Sequence, residues 1–327
     1  MAADTRKRDL IIGVSAIALC VVLSLVTSSS TSFLLARIVI MMLFATSVNI
    51  MFGYGGLVAF GQAIFFGFAA YLYTILMRAG LPLAVSALVT IVSTFVLSFL
   101  ISELVLRVSA LTLGLLFFGL NLLVYNIACY VPALGSGVGI SYNCRPSFAQ
   151  SNETFVFFSL TVVTVCYVLI YIFLHSPYTK MAQGIRENEM RMTYIGVNVK
   201  RVKEVMIMVS STFCGVAGML YAMLNSGAFV SYVNTSISIQ SLIMCLVGGM
   251  YTFWGPSIGG IIITVVTVYI ASFTTYHRAI LGIILILAIV FFPSGILGRS
   301  PDQVNKAESF FGNLFGRKEK EGGPSDG

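Results

Sequence analysis

Charge is what this chain has least of. Only 9% of its 327 residues are Asp, Glu, Lys or Arg, while 58% are hydrophobic; a water-soluble domain carries about a quarter charged residues. The shortage excludes an ordinary soluble fold and fits a chain whose solvent is lipid. Histidine is scarcer still. His175 and His277 each stand at the end of an apolar run, and a lone histidine without partners reads as an interfacial residue, not a base or a ligand. The six cysteines form no C-x-x-C pair, which removes the commonest metal and redox spacing. There is no G-x-x-x-x-G-K-[ST] either, so nucleotide hydrolysis by a P-loop is excluded. Gly135-Ser-Gly-Val-Gly139 lacks the lysine and the preceding strand, and reads as a flexible loop. No ionisable residue falls in the middle of an apolar run, and proton-coupled carriers need buried carboxylates or histidines there. Without a paired acid, base, nucleophile or metal set, the chemistry is passage across a membrane, not bond making.

What the chain does have is a series of apolar runs. They are Leu10 to Val26, Phe33 to Phe52, Leu57 to Met77, Leu81 to Arg107, Leu111 to Val131, Phe155 to Leu174, Val205 to Leu224, Ile237 to Phe253, Ile258 to Phe273 and Ile280 to Leu297. The fold class is all-α, a polytopic transmembrane bundle of about 8–10 spans, Ile237 to Phe253 being short enough for a span or a re-entrant element. Residues 1–9 form a polar N-terminal segment and 10–298 the membrane domain, with a charged loop at 176–203. Residues 299–327 form a polar tail, whose Phe310, Phe311, Leu314 and Phe315 leave open a short interfacial helix or a loose segment. The first run lacks a small-x-small cleavage site and reads as a retained span.

The formal net charge of +7 does not make a nucleic-acid face. With ten crossings and both termini inside, 15 of the 19 Lys and Arg fall on the cytoplasmic side, the positive-inside pattern. Arg37, Arg78, Arg145 and Arg278 fall outside. Cys129 and Cys144 flank an external loop from Pro132 to Asn152, where a disulfide and two thiols are both open. Glu103 and Arg107 are spaced to pair on one helix face.

Small residues recur at helical spacing. Gly55, Ala59, Ala63 and Gly67 would line one face of a helix, as would Cys214, Gly218 and Ala222; Gly255 and Gly259 repeat the step. Close helix packing explains most of them. Gly53, Gly55 and Gly56 cluster beside Asn49 and Gln62, and Gly248–Gly249 interrupt a second run. Paired interruptions of this kind mark a translocation path, so Asn49, Gly53, Gly55, Gln62, Gly248 and Gly249 are the candidate path residues.

The one long charge-dense stretch between runs is Lys180 to Lys203. In it Gly184 and Gly196 bracket a short amphipathic helix, Ile185, Met192 and Ile195 fall near one face with Asn188 between, and Glu187 precedes Arg191 at pairing distance. Arg186 falls elsewhere on the helix. Periodicity alone leaves two readings, a helix lying on the membrane or a handle for a soluble partner.

The stretch GIRENEMRMTYIGVNVKRVKEVMIMVSSTFCGVAGMLYAML resembles the signature region of permease subunits of branched-chain amino acid ABC importers. GYGGLVAFGQAIFFGFAAYL, LVGGMYTFWGPSIGGIII and FFPSGILGR resemble three further family segments in the same order. The resemblance implies a second permease subunit, different more readily than identical, two ATP-binding subunits that carry ATP and Mg²⁺, and an extracytoplasmic solute-binding protein. No cofactor is implied in this chain, and the location implied is the bacterial cytoplasmic membrane. Gly184 to Gly196 would be the coupling helix, and the mechanism alternating access. Gln62 stands where the family often has histidine, and relatives carry branched-chain amino acids, urea, short amides or aromatic acids. The alternative is a stand-alone facilitator for a small polar solute.

Overall fold

The computed structural model describes residues 29–58, 60–108 and 110–273, together with Gly282 and Gly295. The expected segment 1–9, the first span, the run from Ile280, His277 and the tail lie outside the described residues. Ten α-helices appear among them. They are α1 (Ser29–Asn49), α2 (Gln62–Arg78), α3 (Leu83–Val105), α4 (Ala110–Tyr130), α5 (Asn152–Leu174), α6 (Pro177–Glu187), α7 (Glu189–Tyr194), α8 (Val199–Asn225), α9 (Thr235–Gly248) and α10 (Gly255–Phe273). Five helices are long and apolar enough to cross a membrane, and α2, α9 and α10 contribute shorter apolar ones. The expected all-α membrane bundle is what forms. The only sheet among the described residues is a two-residue ribbon, β1 (Ile140–Ser141) against β2 (Gly227–Ala228), antiparallel.

Helices α1 and α8 form the centre. α8 packs on α1, α2 and α3, and α1 also packs on α5, α9 and α10. Both are mostly enclosed by protein, whereas α3 and α4 turn large side chains such as Leu88, Leu100, Leu115 and Leu123 outward. Lipid tails are as apolar as these side chains, so close packing and buried polar contacts must hold the helices together. Both are present. Ala222 and Cys214 are fully buried on α8, and a Cβ at Gly218 would overlap the Phe66 carbonyl oxygen of α2. Three hydroxyls join three helices: Tyr167 of α5 meets Ser257 of α10 at 2.7 Å and Thr46 of α1 at 2.8 Å.

The two faces of the bundle differ. One carries the charged loop with α6 and α7, here the loop face. The opposite, ribbon face carries the segment from Pro132 to Gln150. Arg145 fixes that segment to the end of α8. Its guanidinium donates to the Met223 and Leu224 carbonyls at 3.2 and 2.9 Å, and to Asn152 Oδ1 at 2.8 Å. These are last-turn carbonyls, which lack a full set of helical N–H partners. Cys129 and Cys144 are both free thiols, and burial pushes the Cys144 thiol pKa up.

Several sequence expectations are corrected here. Leu57 to Met77 is not one helix. A π-helical turn (Ile50–Tyr54) ends the first pass, and α2 starts only at Gln62, so Gly55 does not share a helix face with Ala63 and Gly67. Glu103 does not pair with Arg107, because Lys200 reaches it at 2.6 Å. Ile237 to Phe253 resolves into α9, which stops at Gly248, and a turn. Gly249 has φ 112°, and a Cβ at Gly248 would overlap the Gly255 carbonyl oxygen, so α9 and α10 meet backbone to backbone.

Gly218→Val should lower the thermal unfolding midpoint of the detergent-purified protein by several degrees, since overpacking costs about 1–3 kcal/mol. Gly119→Ala, where a Cβ meets nothing within 4 Å, should leave it unchanged or slightly raised.

Candidate functional site

The charged loop is two helices, not one. α6 buries Thr179, Ala182 and Ile185, a stripe at three-residue spacing, against the bundle. Asn188 then takes an extended conformation (φ −156°, ψ 100°), and its Oδ1 accepts the Arg191 N–H at 2.9 Å to cap α7. Substituting such a cap costs about 1 kcal/mol. The break replaces the expected continuous helix, and it removes the expected Glu187–Arg191 pair, which needs four residues of unbroken helix. Glu189 pairs with Lys203 of α8 instead, at 2.8 Å. Gly184 does not bracket a helix but lies inside α6, against Met192. Gly196 does end one. At φ 88° it donates to the Thr193 carbonyl, while Val197 donates to that of Met192, the paired bonds of a left-handed helix stop.

The expected shared face of Ile185, Met192 and Ile195 does not form. Ile185 is 4% exposed and Met192 packs inward, whereas Ile195 is 70% exposed. The outward face is made by Met190, Tyr194 and Ile195. Sequence reasoning missed Met190 and Tyr194 because the bend at Asn188 rotates everything after it.

Arg186 is the residue that joins the loop to the bundle. Its guanidinium donates to the Gly53 carbonyl and lies 4.7 Å from the Tyr251 ring centroid. Its side-chain stem crosses Gly56, where a Cβ would collide with it. Gly53 belongs to the first helix break and Tyr251 to the second, so one side chain touches both. The breaks also touch each other. A Cβ on Gly53 would overlap the Met250 carbonyl oxygen, and Asn49 Nδ2 donates to the Thr252 carbonyl at 3.3 Å. Gly295, from the last signature segment, lies against Gly249. Asn49, Gly53, Gly248 and Gly249 are thus brought into one cluster at the loop face. Gly55 lies just beyond it, against Met51.

Gln62 is apart from this cluster, at the start of α2. It is fully buried; its Nε2 lies 3.4 Å from Met51 Sδ, and its Oε1 has no partner. Next to it the Ala63 N–H donates to Ser238 Oγ at 2.9 Å. Asn121 of α4, a residue the sequence reading passed over, donates to Thr235 Oγ1 at 3.0 Å with its own Oδ1 unpartnered. These buried amides face the start of α9. By contrast a groove of about 560 Å³ between α3, α5 and α8 is lined by side chains such as Leu83, Ile91, Phe158, Val165, Phe213 and Met219, and offers a polar solute no charged group. No group of His, Cys, Asp or Glu that could hold a metal occurs among the described residues.

The chain matches, over residues 30–289, the family described as the branched-chain amino acid transport system / permease component. It belongs to that family. The permease is 24% identical over 295 residues to the high-affinity branched-chain amino acid transport system permease protein LivM of Salmonella typhimurium, covering 79% of this chain and 67% of that one. It is 25% identical over 177 residues to the corresponding LivH of the same organism, covering 52% of this chain and 55% of that one. To the LivM of Escherichia coli K12 it is 24% identical over 148 residues, covering 45% and 34%. No solved structure gives a significant match.

If Arg186 holds the two breaks together, Arg186→Ala should loosen them. A Met250→Cys thiol should then alkylate about threefold faster or more in membranes, as expected for local opening, and Arg186→Lys should restore part of the protection.

Proposed function

We propose that this permease is a membrane-spanning subunit of an ATP-driven importer for branched-chain or related amino acids. It works by alternating access in the bacterial cytoplasmic membrane, with the loop face and both termini in the cytoplasm. The observation that carries the reading is Arg186. A loop that merely rested on a bilayer would have no need to hold both helix breaks through one side chain. A loop that receives force from a partner would, because any displacement of α6 then acts on Gly53 and Tyr251 together. The driving subunits would be two ATPases carrying ATP and Mg²⁺; this chain supplies the seat and the lever.

The seat is the exposed trio Met190, Tyr194 and Ile195. Large apolar side chains grouped on a charged loop mark a docking surface, and Tyr is among the residues that dominate such interfaces. The relatives LivM and LivH are two differently named permease components, and both align with this chain. That supports pairing with a similar but non-identical permease. A solute-binding protein would deliver substrate at the ribbon face, where Arg145 fixes the outer segment to α8. α8 is a single helix of 27 residues, about 40 Å long at 1.5 Å per residue, so it connects handle and outer segment rigidly. Asn49, Gln62, Gly53, Gly55, Gly248 and Gly249 would line or gate the path.

The test is a combined Met190→Ser, Tyr194→Ser, Ile195→Ser variant co-expressed with the ATPase subunits and second permease of its importer. It should insert and purify with an unchanged thermal midpoint, yet retain less than about a tenth of the ATPase subunits, as expected when interface anchors worth over 1.4 kcal/mol are lost. Arg186→Ala should keep the ATPases bound but lose solute-stimulated hydrolysis. Solute flux through liposomes bearing this chain alone, without ATP, would favour a facilitator instead.

A further inference from the structure

Arg37 is a half-buried cation on α1 with no ion-pair partner among the described residues. It lies on α1 two turns in from Ser29, about 12 Å along the helix, on the half toward the ribbon face. Its guanidinium carbon stands 6.0 Å from the Tyr221 ring centroid, and its Nε is buried with no hydrogen-bond partner. No ion pair involving Arg37 forms among the described residues. Nor is an acid at hand among the described residues. Glu103, Glu187, Glu189 and Glu204 lie toward the loop face, and Glu153, at the ribbon face, is exposed at the start of α5.

The surroundings are aromatic. Tyr232 sits edge-on to Tyr221 at 4.9 Å, and Phe66 lies 5.4 Å from Tyr221. Tyr71 and Arg37 are both within electrostatic range of the Tyr232 hydroxyl. Tyr71 is 6% exposed, and its hydroxyl has no partner. A cation removed from water costs several kcal/mol unless something pairs with it, and ionisable residues inside membrane helices mark solute pathways. Arg37 keeps planar, forked donors that match a carboxylate, and Tyr71 has a donor to spare beside rings that suit an apolar side chain.

We propose that Arg37 is the anchor for the carboxylate of the transported solute. The Tyr71 hydroxyl is the second donor, and the rings of Phe66, Tyr221 and Tyr232 seat the solute's apolar side chain. The proposal rests on the importer reading above and assigns the first binding position met from the ribbon face. A lipid phosphate offers the same anionic chemistry from another source, and the experiment separates the two.

The complete importer is reconstituted in phosphatidylcholine liposomes, with and without phosphatidylglycerol, and uptake of leucine, isoleucine, phenylalanine and their amides is measured. The wild type should take up acids and reject amides in both lipids. Arg37→Gln should lower acid uptake at low concentration by about thirtyfold or more, as expected for a lost buried charge pair. It should also erase the preference for acid over amide, and Arg37→Lys should recover part of that preference. Tyr71→Phe should weaken acid uptake more mildly, and it reads the same preference should Arg37→Gln fail to assemble. Uptake of amides as fast as acids by the wild type, or an unchanged preference in Arg37→Gln, would overturn the assignment while leaving the importer intact. So would an Arg37 effect seen only with phosphatidylglycerol. A wild-type complex that moves none of the panel would refute the importer reading itself, and the assignment with it.

Discussion

A helix that stops inside an apolar bundle strands the N–H and C=O groups of its last turns where water cannot reach them. This fold breaks helices at Gly53–Gly61 and at Gly249–Trp254, and ends α8 under the outer segment, so it must satisfy those groups from elsewhere. It does so with side chains borrowed across the bundle. Arg186 takes the Gly53 carbonyl, Asn49 the Thr252 carbonyl, and Thr252 Oγ1 the Gly255 N–H. Ser238 takes the Ala63 N–H, Cys214 the Gln62 carbonyl, and Arg145 the carbonyls of Met223 and Leu224. Most of the polar residues that looked isolated in the sequence are partners of interrupted backbone.

That dependence shapes the mechanics. A regular helix is held by bonds within itself and resists change as a unit. A break held by one distant side chain can be released by moving that side chain, at the cost of a single polar group. Arg186 is exposed and sits on the loop whose outward face is made by Met190, Tyr194 and Ile195. Gly53 and Gly248 have no Cβ, so the two breaks approach until backbone meets backbone. A displacement of α6 is therefore felt at once by both breaks, with no compliant side chain between them.

How much of this could be read from the sequence follows the same physics. The all-α bundle and most of its runs were legible, because a span needs a long apolar stretch whatever its neighbours. The family signature, the glycine clusters and the left-handed stop at Gly196 were legible for similar local reasons. The bend at Asn188 was not, since helical periodicity assumes a helix that continues; with Ile185 packed inward before it, the bend brought Met190 and Tyr194 out after it. The start of α2 at Gln62 was missed because Leu57 to Met77 is apolar throughout, and hydropathy is blind to a break that costs no polarity. The Glu103–Lys200 pair was missed because it joins residues far apart in the chain. Arg186 was assigned to the handle, but its hold on Gly53 and Tyr251 depends on two breaks meeting in space.

Arg37 is the informative exception. Charge counting placed it outside the membrane, although it stands four residues into the run from Phe33 to Phe52, and gave it no role. Among the described residues several cations near the ends of the bundle have work that the fold itself demands: Arg145 caps α8, Arg186 holds the breaks, and Lys200 and Lys203 pair with acids. Arg37 has an aromatic face and a buried Nε without a hydrogen-bond partner, and no carboxylate among the described residues pairs with it. A fold that satisfies stranded backbone so thoroughly elsewhere leaves two donors, Arg37 and the Tyr71 hydroxyl, without acceptors on the same side of the bundle. Acceptors for them, supplied by a solute, would complete a part of this interior that the described residues do not complete by themselves.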